Sequence, residues 1–446
     1  MSAAVLEIQR PHHLSTYASI AICPRVATTT ATTVAVCISL APSLLPRPAV
    51  VQAAVTAVSV LCGLGLLAVA RALRTRFRPA PAVASVPVRW GAVGAATGLC
   101  GAATLAADRW QNGLRDAMGV PPVGASHWVV VVTTAVLIVA LTLGVTARIR
   151  RIVPARALAA VGIIALAGYT AATGFAPTAA ASLPPSRLPA GVSGAPQSLV
   201  PWDTLGEQGR RFVALDNAGQ AIRTYVGVDS APDPPARAAL AVRELDRAGG
   251  FDRGHLVVAV PTGSGWIDAN AVAGFESAYG DDVAFVAVQY SSAPSWVTFV
   301  LERDAAIDAA TALVDAVRSR LDTLDPADRP QLHVYGQSLG AVGAGAAFDG
   351  PAAPGACEAL WTGPPAGSVR PDGGTVLANS SDPVIRWRPS LLWSPPDLSR
   401  ARVDAPLPAW LPVIGFLQTT VDLLFALDAA PGHGHRYGPD QARCAP

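Results

Sequence analysis

The chain sets one serine between glycines at the end of an apolar run: Gly336-Gln337-Ser338-Leu339-Gly340, within HVYGQSLGAVG. A Gly-x-Ser-x-Gly turn serves nucleophilic chemistry when a strand leads into it and a helix leads out. The turn is then so tight that its neighbours must lack side chains. The serine is held in a strained conformation, with its Oγ exposed at a helix N-terminus. Such a serine needs a base to take its proton, and the base needs an orienting acid. Two histidines follow Ser338, His433 and His435, both in PGHGHRYG. His433 is the favoured base, because its flanking glycines let the backbone bring the imidazole toward the serine, and His435 is the alternative. Asp382 follows the run TVLANSS and precedes Pro383, which suits the acid. Its competing reading is a turn cap. Asp397 and Asp404 are weaker candidates, since no strand leads into them.

Acyl chemistry also needs donors for a tetrahedral oxyanion. The Leu339 N–H supplies one by position. The second is expected from VAVPTGSGW, where Thr262, Gly263 and Ser264 follow the apolar run 255–260. No Gly-Lys-Ser/Thr follows these glycines, so the loop is not a phosphate-binding P-loop. Further on, QYSSAPSW places Tyr290, Ser291 and Trp296 at the expected pocket rim as candidate substrate contacts, with core packing as the competing reading.

The elements that must position these residues are legible from about residue 202. Short β-branched runs alternate with amphipathic helices, which predicts an α/β fold with a largely parallel sheet flanked by helices. Strands are expected at 211–215, 222–228, 255–260, 283–290, 331–335, 359–362 and 375–380. One helix starts near Asp233 with Pro234 in its first turn. Another runs over 302–321, with Ile307, Ala310, Val314, Val317 and Leu321 on one buried stripe. A small-residue helix over 339–348 leads away from Ser338.

The first part of the chain reads differently. Of 446 residues, 51% are hydrophobic and 14% charged, more apolar than an ordinary soluble protein. Five apolar stretches, at 26–45, 49–70, 90–107, 127–147 and 157–175, predict a multi-span α-helical transmembrane domain over residues 1–175. Arg71, Arg74, Arg76, Arg78 and Arg89 lie between the second and third stretches, and Arg148, Arg150, Arg151 and Arg156 between the fourth and fifth. The positive-inside rule then puts the N-terminus in the cytoplasm and everything after the fifth span outside the plasma membrane. Residues 176–201, rich in Pro, Ala, Ser and Gly, read as a linker, and residues 202–446 as the catalytic domain.

In an oxidising compartment Cys357 and Cys444 form a candidate disulfide. The six cysteines fit no zinc spacing, and neither a metal nor an organic cofactor is implied. The basic residues are all arginine and are spread along the chain, which argues against nucleic-acid binding.

Taken together, the chain resembles the actinobacterial membrane-anchored α/β-hydrolase family, which joins an N-terminal multi-span domain to a C-terminal catalytic domain. The likeness rests on SLAPSLLPRP in the first half and, in the second, on PWDTLGEQGRRFV, ELDRAGGFDR, PTGSGWID, QYSSAPSW, YGQSLGAVG, LWTGPP, SSDPVIRW and PGHGHRYG. Two departures stand out. Gln337 occupies a position where the family often has Glu, and the segment between Trp361 and Thr375 is short, leaving little room for a substrate-covering insertion. The resemblance implies a serine esterase, lipase-like hydrolase or acyltransferase and names no substrate; the bulk of the membrane half suggests a small-molecule or lipid ester with an apolar acyl group, delivered from the bilayer. The reading from another class is a transporter or binding protein with a degenerate hydrolase domain. A solute pathway usually needs ionisable residues inside the membrane, and the five stretches contain almost none.

Overall fold

The computed structural model describes residues 24–77, 84–149, 185–215, 221–293, 303–348, 359–370 and 373–442. The chain divides into two compact units, Met1–Tyr169 and Thr170–Pro446.

In the first unit, α1 (Val26–Ser39), α2 (Ala49–Phe77), α3 (Val86–Ala117) and α4 (Ala125–Ile149) are helical. Among the described residues, three helices, α2 to α4, are long and apolar enough to cross a membrane. The expected first span is corrected. α1 has 14 residues, and at about 1.5 Å per residue it falls short of the roughly 30 Å hydrocarbon core. It stops because SLAPSLLPRP carries Pro42, Pro46 and Pro48, which supply no N–H to continue a helix. That segment instead folds inward. Ser43, Leu44, Leu45 and Arg47 are buried, and α3 holds the segment through Gln111 Nε2 to Ser43 Oγ (2.9 Å) and Trp110 Nε1 to Ser43 O (2.9 Å). The expected fifth span, 157–175, lies outside the described residues.

The second unit is built on a parallel sheet. Its strands are β1 (Ile222–Val226), β2 (His255–Val260), β3 (Val283–Val288), β4 (Gln331–Gln337), β5 (Ala359–Thr362) and β6 (Thr375–Leu377). Among the described residues they lie in the order β1-β3-β2-β4-β5-β6, every neighbouring pair parallel. The central strands are buried on both faces, as continuous runs such as LVVAV and VAFVAV require of a sheet covered by helices. The helices are α5 (Gly206–Val213), α6 (Pro234–Arg247), α7 (Ala269–Tyr279), α8 (Arg303–Leu321), α9 (Leu339–Ala347), α10 (Pro383–Arg386) and α11 (Ile414–Leu423). The Asp233 side chain caps α6 by accepting from Ala236 N at 2.8 Å, and the expected stripe of α8 is buried at Ala310, Val314, Val317 and Leu321.

Two sequence expectations give way here. The strand expected at 211–215 is largely the end of α5, an amphipathic helix that buries Gly209, Phe212 and Val213 and pairs Arg211 with Glu207 one turn earlier. Residues 185–201, expected within the linker, are part of the second unit's core. Leu188, Val192, Ala195 and Val200 are buried, and Val192 bridges to Arg223 of β1. The fully buried Glu244 of α6 accepts from Ser198 Oγ (2.7 Å), Leu199 N (2.8 Å) and Arg247 Nη2 (2.8 Å). A buried carboxylate satisfied in this way fixes a segment whose own composition is too poor to build a core.

At the N-terminal ends of the strands His255 Nδ1 meets His333 Nε2 at 3.1 Å, and Tyr279 stacks on the His255 ring at 3.7 Å. Burial pushes the His255 imidazole below its usual range, against the opposing pull of Asp282. Its folded pKa is therefore below the unfolded one. As pH falls through about 6.5 the unfolded chain takes up a proton that the folded chain refuses, so stability is lost. Urea unfolding of the full chain in detergent, followed from pH 8 to pH 5, is expected to show this decline. His255→Gln is expected to flatten it, and an unchanged slope in that variant would remove His255 as the cause.

Candidate active site

The register of the sheet lines up the ends of four strands. Val260 faces Gly336, Gln337 faces Thr362, and Thr362 faces Leu377. The loops that follow β2, β4, β5 and β6 therefore leave one edge side by side. In open α/β sheets, ligands bind in the crevice beyond the carboxyl ends of the strands.

Ser338 sits between β4 and α9, half-buried, with φ 54° and ψ −122°. This backbone conformation is rare for a residue with a side chain and marks the strain expected of the motif. The two motif glycines have separate steric reasons. A Cβ on Gly336 would lie 2.4 Å from Gly340 O, and a Cβ on Gly340 would lie 2.3 Å from Val260 O and 2.8 Å from Pro261 O. Gly340 thus presses the serine turn against the loop after β2, the loop holding Thr262, Gly263 and Ser264. The Ser338 N–H donates to Thr362 O (2.9 Å), tying the turn to the end of β5. Leu339 is the first residue of α9 and is buried.

The candidate acid and the two candidate bases lie on two further loops. Asp382 is fully buried just beyond β6, and its two oxygens divide their work. Oδ1 accepts from Val384 N (2.8 Å) and caps α10, while Oδ2 accepts from His435 Nδ1 (2.7 Å) and from the Tyr437 hydroxyl (2.7 Å). Cap and ligand are therefore compatible in one aspartate. Burial and the adjacent Asp382 carboxylate push the Tyr437 phenol well above its usual range, so Tyr437 stays a donor. The two candidate histidines find different partners. His433 Nδ1 lies 3.2 Å from Asp404 Oδ2, and it is His435 that meets Asp382. The reason lies in the turn. Gly432 (φ 89°) and Gly434 (φ 56°) fold the loop so that His433 stays partly exposed while His435 turns inward.

Asp404 is the residue that sequence reasoning set aside. Its carboxylate accepts from Ser380 Oγ (3.0 Å), Ser381 N (2.9 Å), the Ser381 hydroxyl and His433, and so joins the acid loop to the histidine loop. Ser381 Oγ in turn accepts from Gly434 N (2.8 Å), and Asn379 Nδ2 donates to Gly434 O (2.8 Å). Gln337 is buried, donates from Nε2 to His435 O (3.2 Å), and accepts from the Tyr335 hydroxyl (3.1 Å). The residue before the serine thus helps seat the histidine loop. Gly363, directly after β5, closes the arrangement: a Cβ there would lie 2.9 Å from both Asp382 Oδ2 and His435 Cε1. Two signals in the sequence pointed to these partners. Tyr437 is two residues beyond His435, the spacing that returns a side chain to the same side of an extended segment, and Gly363 follows a strand at the level of Ser338.

The remaining candidates are placed as follows. Tyr290 is buried against Leu339 and Val342 and donates to Pro261 O (3.0 Å), so it supports the β2 loop from within. Ser291 is buried and accepts from Ala293 N (3.1 Å). The packing of Tyr290 is that of the competing core reading. Trp296, Cys357 and Cys444 lie outside the described residues. Among the described residues no cluster of three or more His, Cys, Asp or Glu could hold a metal ion.

The room expected to be missing between Trp361 and Thr375 appears elsewhere. Residues 383–432, between Asp382 and the histidine loop, form a loop-rich excursion carrying α10 and α11.

Neither a curated protein nor a solved structure matches this sequence. Two family models do. One, described as an alpha/beta-hydrolase family, matches residues 222–372 and 374–444, and the other, the N-terminus of that family, matches residues 40–183. Between them they take in the sheet, the serine turn, Asp382 and the histidine loop, and the chain belongs to the alpha/beta-hydrolase family.

Proposed function

We propose that the chain is a membrane-anchored serine hydrolase that cleaves or transfers acyl groups of esters through Ser338, His435 and Asp382. The observation that carries the reading is the strained Ser338 and the buried Asp382–His435 pair on loops that leave the same sheet edge. In the reaction His435 takes the Ser338 proton as Oγ attacks the ester carbonyl, and Asp382 holds the imidazolium that forms. The Leu339 and Ser264 N–H groups hold the oxyanion. Return of the proton to the leaving alcohol frees it, and water or a second hydroxyl, deprotonated by His435, releases the acyl group. Hydrolysis and transfer share every step up to that last one.

Three bilayer-length helices support the anchor. The arginine-rich stretches 71–89 and 148–156 support a cytoplasmic side there and, with the span expected at 157–175, a catalytic unit outside the plasma membrane. The test is labelling of the full chain by a fluorophosphonate probe, which reacts only with an activated serine. Wild type is expected to label stoichiometrically and Ser338→Ala not at all. An unlabelled wild type, or equal labelling of both, would leave a binding or transport protein as the better reading.

A further inference from the structure

A cleft of about 300 Å³ opens at the strand-end edge of the sheet, between the ends of β1 and β3 and the loop after β2. It shares Ser264 with the loop proposed to hold the oxyanion, so it borders the reacting bond on the side away from Asp382 and β6. Polar side chains predominate among its described lining residues: Glu207 and Asp229 bring carboxylates, Gln208 and Gln289 amides, and Thr204, Ser264 and Ser292 hydroxyls, beside the aliphatic Val228.

The cleft is built and not merely left over. Gln289 is 4% exposed, and its Nε2 is held by Ser264 O (3.2 Å) and Ser291 O (2.9 Å). Its Oε1 is turned to the wall at Gly206, where a Cβ would lie 3.3 Å from it. Gly206 has φ 65°, so a side chain there would be strained as well as crowded. The opposite wall is fixed by Ser230 Oγ, which donates to Thr204 Oγ1 at 2.8 Å.

Resting on the serine-hydrolase reading, we infer that this cleft holds the alcohol part of the ester and that this alcohol is a small polyol, such as glycerol or a single sugar ring. Hydroxyl groups both donate and accept, as this mixture of carboxylate, amide and hydroxyl demands. A phosphate or carboxylate group would face the Asp229 carboxylate and a Glu207 already paired with Arg211. An alkyl chain would strip water from polar groups and give them no partner in return, which is costly. The apolar acyl substrate expected from the sequence then concerns only the acid half of the ester.

The test compares kcat/KM of the full chain in detergent for glyceryl monobutyrate, butyl butyrate and butyrylcholine, with p-nitrophenyl butyrate to register the chemistry itself. A site built around hydroxyl hydrogen bonds is expected to prefer the glyceryl ester over each of the others by at least about tenfold. Asp229→Leu, at an exposed rim position, is expected to reduce that preference about tenfold. Equal rates for the three esters, a lead for butyl butyrate or butyrylcholine, or an unaltered preference in the variant would overturn the polyol assignment while the hydrolase reading stands. Loss of all four activities together with absent Ser338 labelling would overturn both.

Discussion

His435→Ala is expected to lower kcat/KM for an ester by about 10⁶-fold, the scale on which a triad histidine acts, while His433→Ala changes it by less than about tenfold. The two residues are the same type, two positions apart, in one glycine-rich turn. What separates them is the partner. His435 is 7% exposed and bonds to a fully buried carboxylate at 2.7 Å, in a loop also held by Gln337 next to the serine. His433 is 19% exposed, and its carboxylate, Asp404, keeps three other donors when the imidazole is removed. Steady-state kinetics of both variants, each checked for fold by its unfolding midpoint, decides the matter. A millionfold loss in His433→Ala with His435→Ala near wild type would return the base to the glycine-flanked histidine.

The sequence carried the sheet and the serine because both depend on local signals. β2 and the buried helices α6, α8 and α9 were legible from β-branched runs, a capping Asp233 and regular apolar spacing, and the serine turn from its two glycines. Choosing between His433 and His435 was not local. It depends on positive φ at Gly432 and Gly434 and on Asp404, which reaches the site through a single bridge, Asn379 to Arg402, instead of a strand. Nothing in ARVDAPLP announces that bridge. α11 was missed for another reason: VIGFLQTTVDLLFAL is apolar on most sides of a helix, so no period separates a buried from an exposed face. The linker was overextended because composition says what a segment cannot bury by itself. It is silent on Glu244, which lies more than forty residues away and supplies the partners.

Asp382→Asn is expected to lower kcat by about 10⁴-fold with the fold retained, and the reason is a conflict the amide cannot resolve. The carboxylate accepts on both sides, from Val384 N at Oδ1 and from His435 and Tyr437 at Oδ2. An asparagine has one acceptor oxygen and one NH₂. If the oxygen faces His435, the NH₂ opposes the Val384 N–H and the cap on α10 is lost, a cost of about 1 kcal/mol. If the NH₂ faces His435, the imidazole must accept at Nδ1, and the tautomer that results carries its proton on Nε2, where it cannot take one from Ser338. In both arrangements the negative charge opposite the imidazolium is gone. Tyr437→Phe removes one of the two donors to Oδ2 and the acceptor of the Asn379 N–H (3.2 Å), and is expected to cost about tenfold. The ordering of the two variants is therefore part of the prediction. Asp382→Asn within tenfold of wild type would reduce Asp382 to a helix cap and leave His435 without an orienting acid.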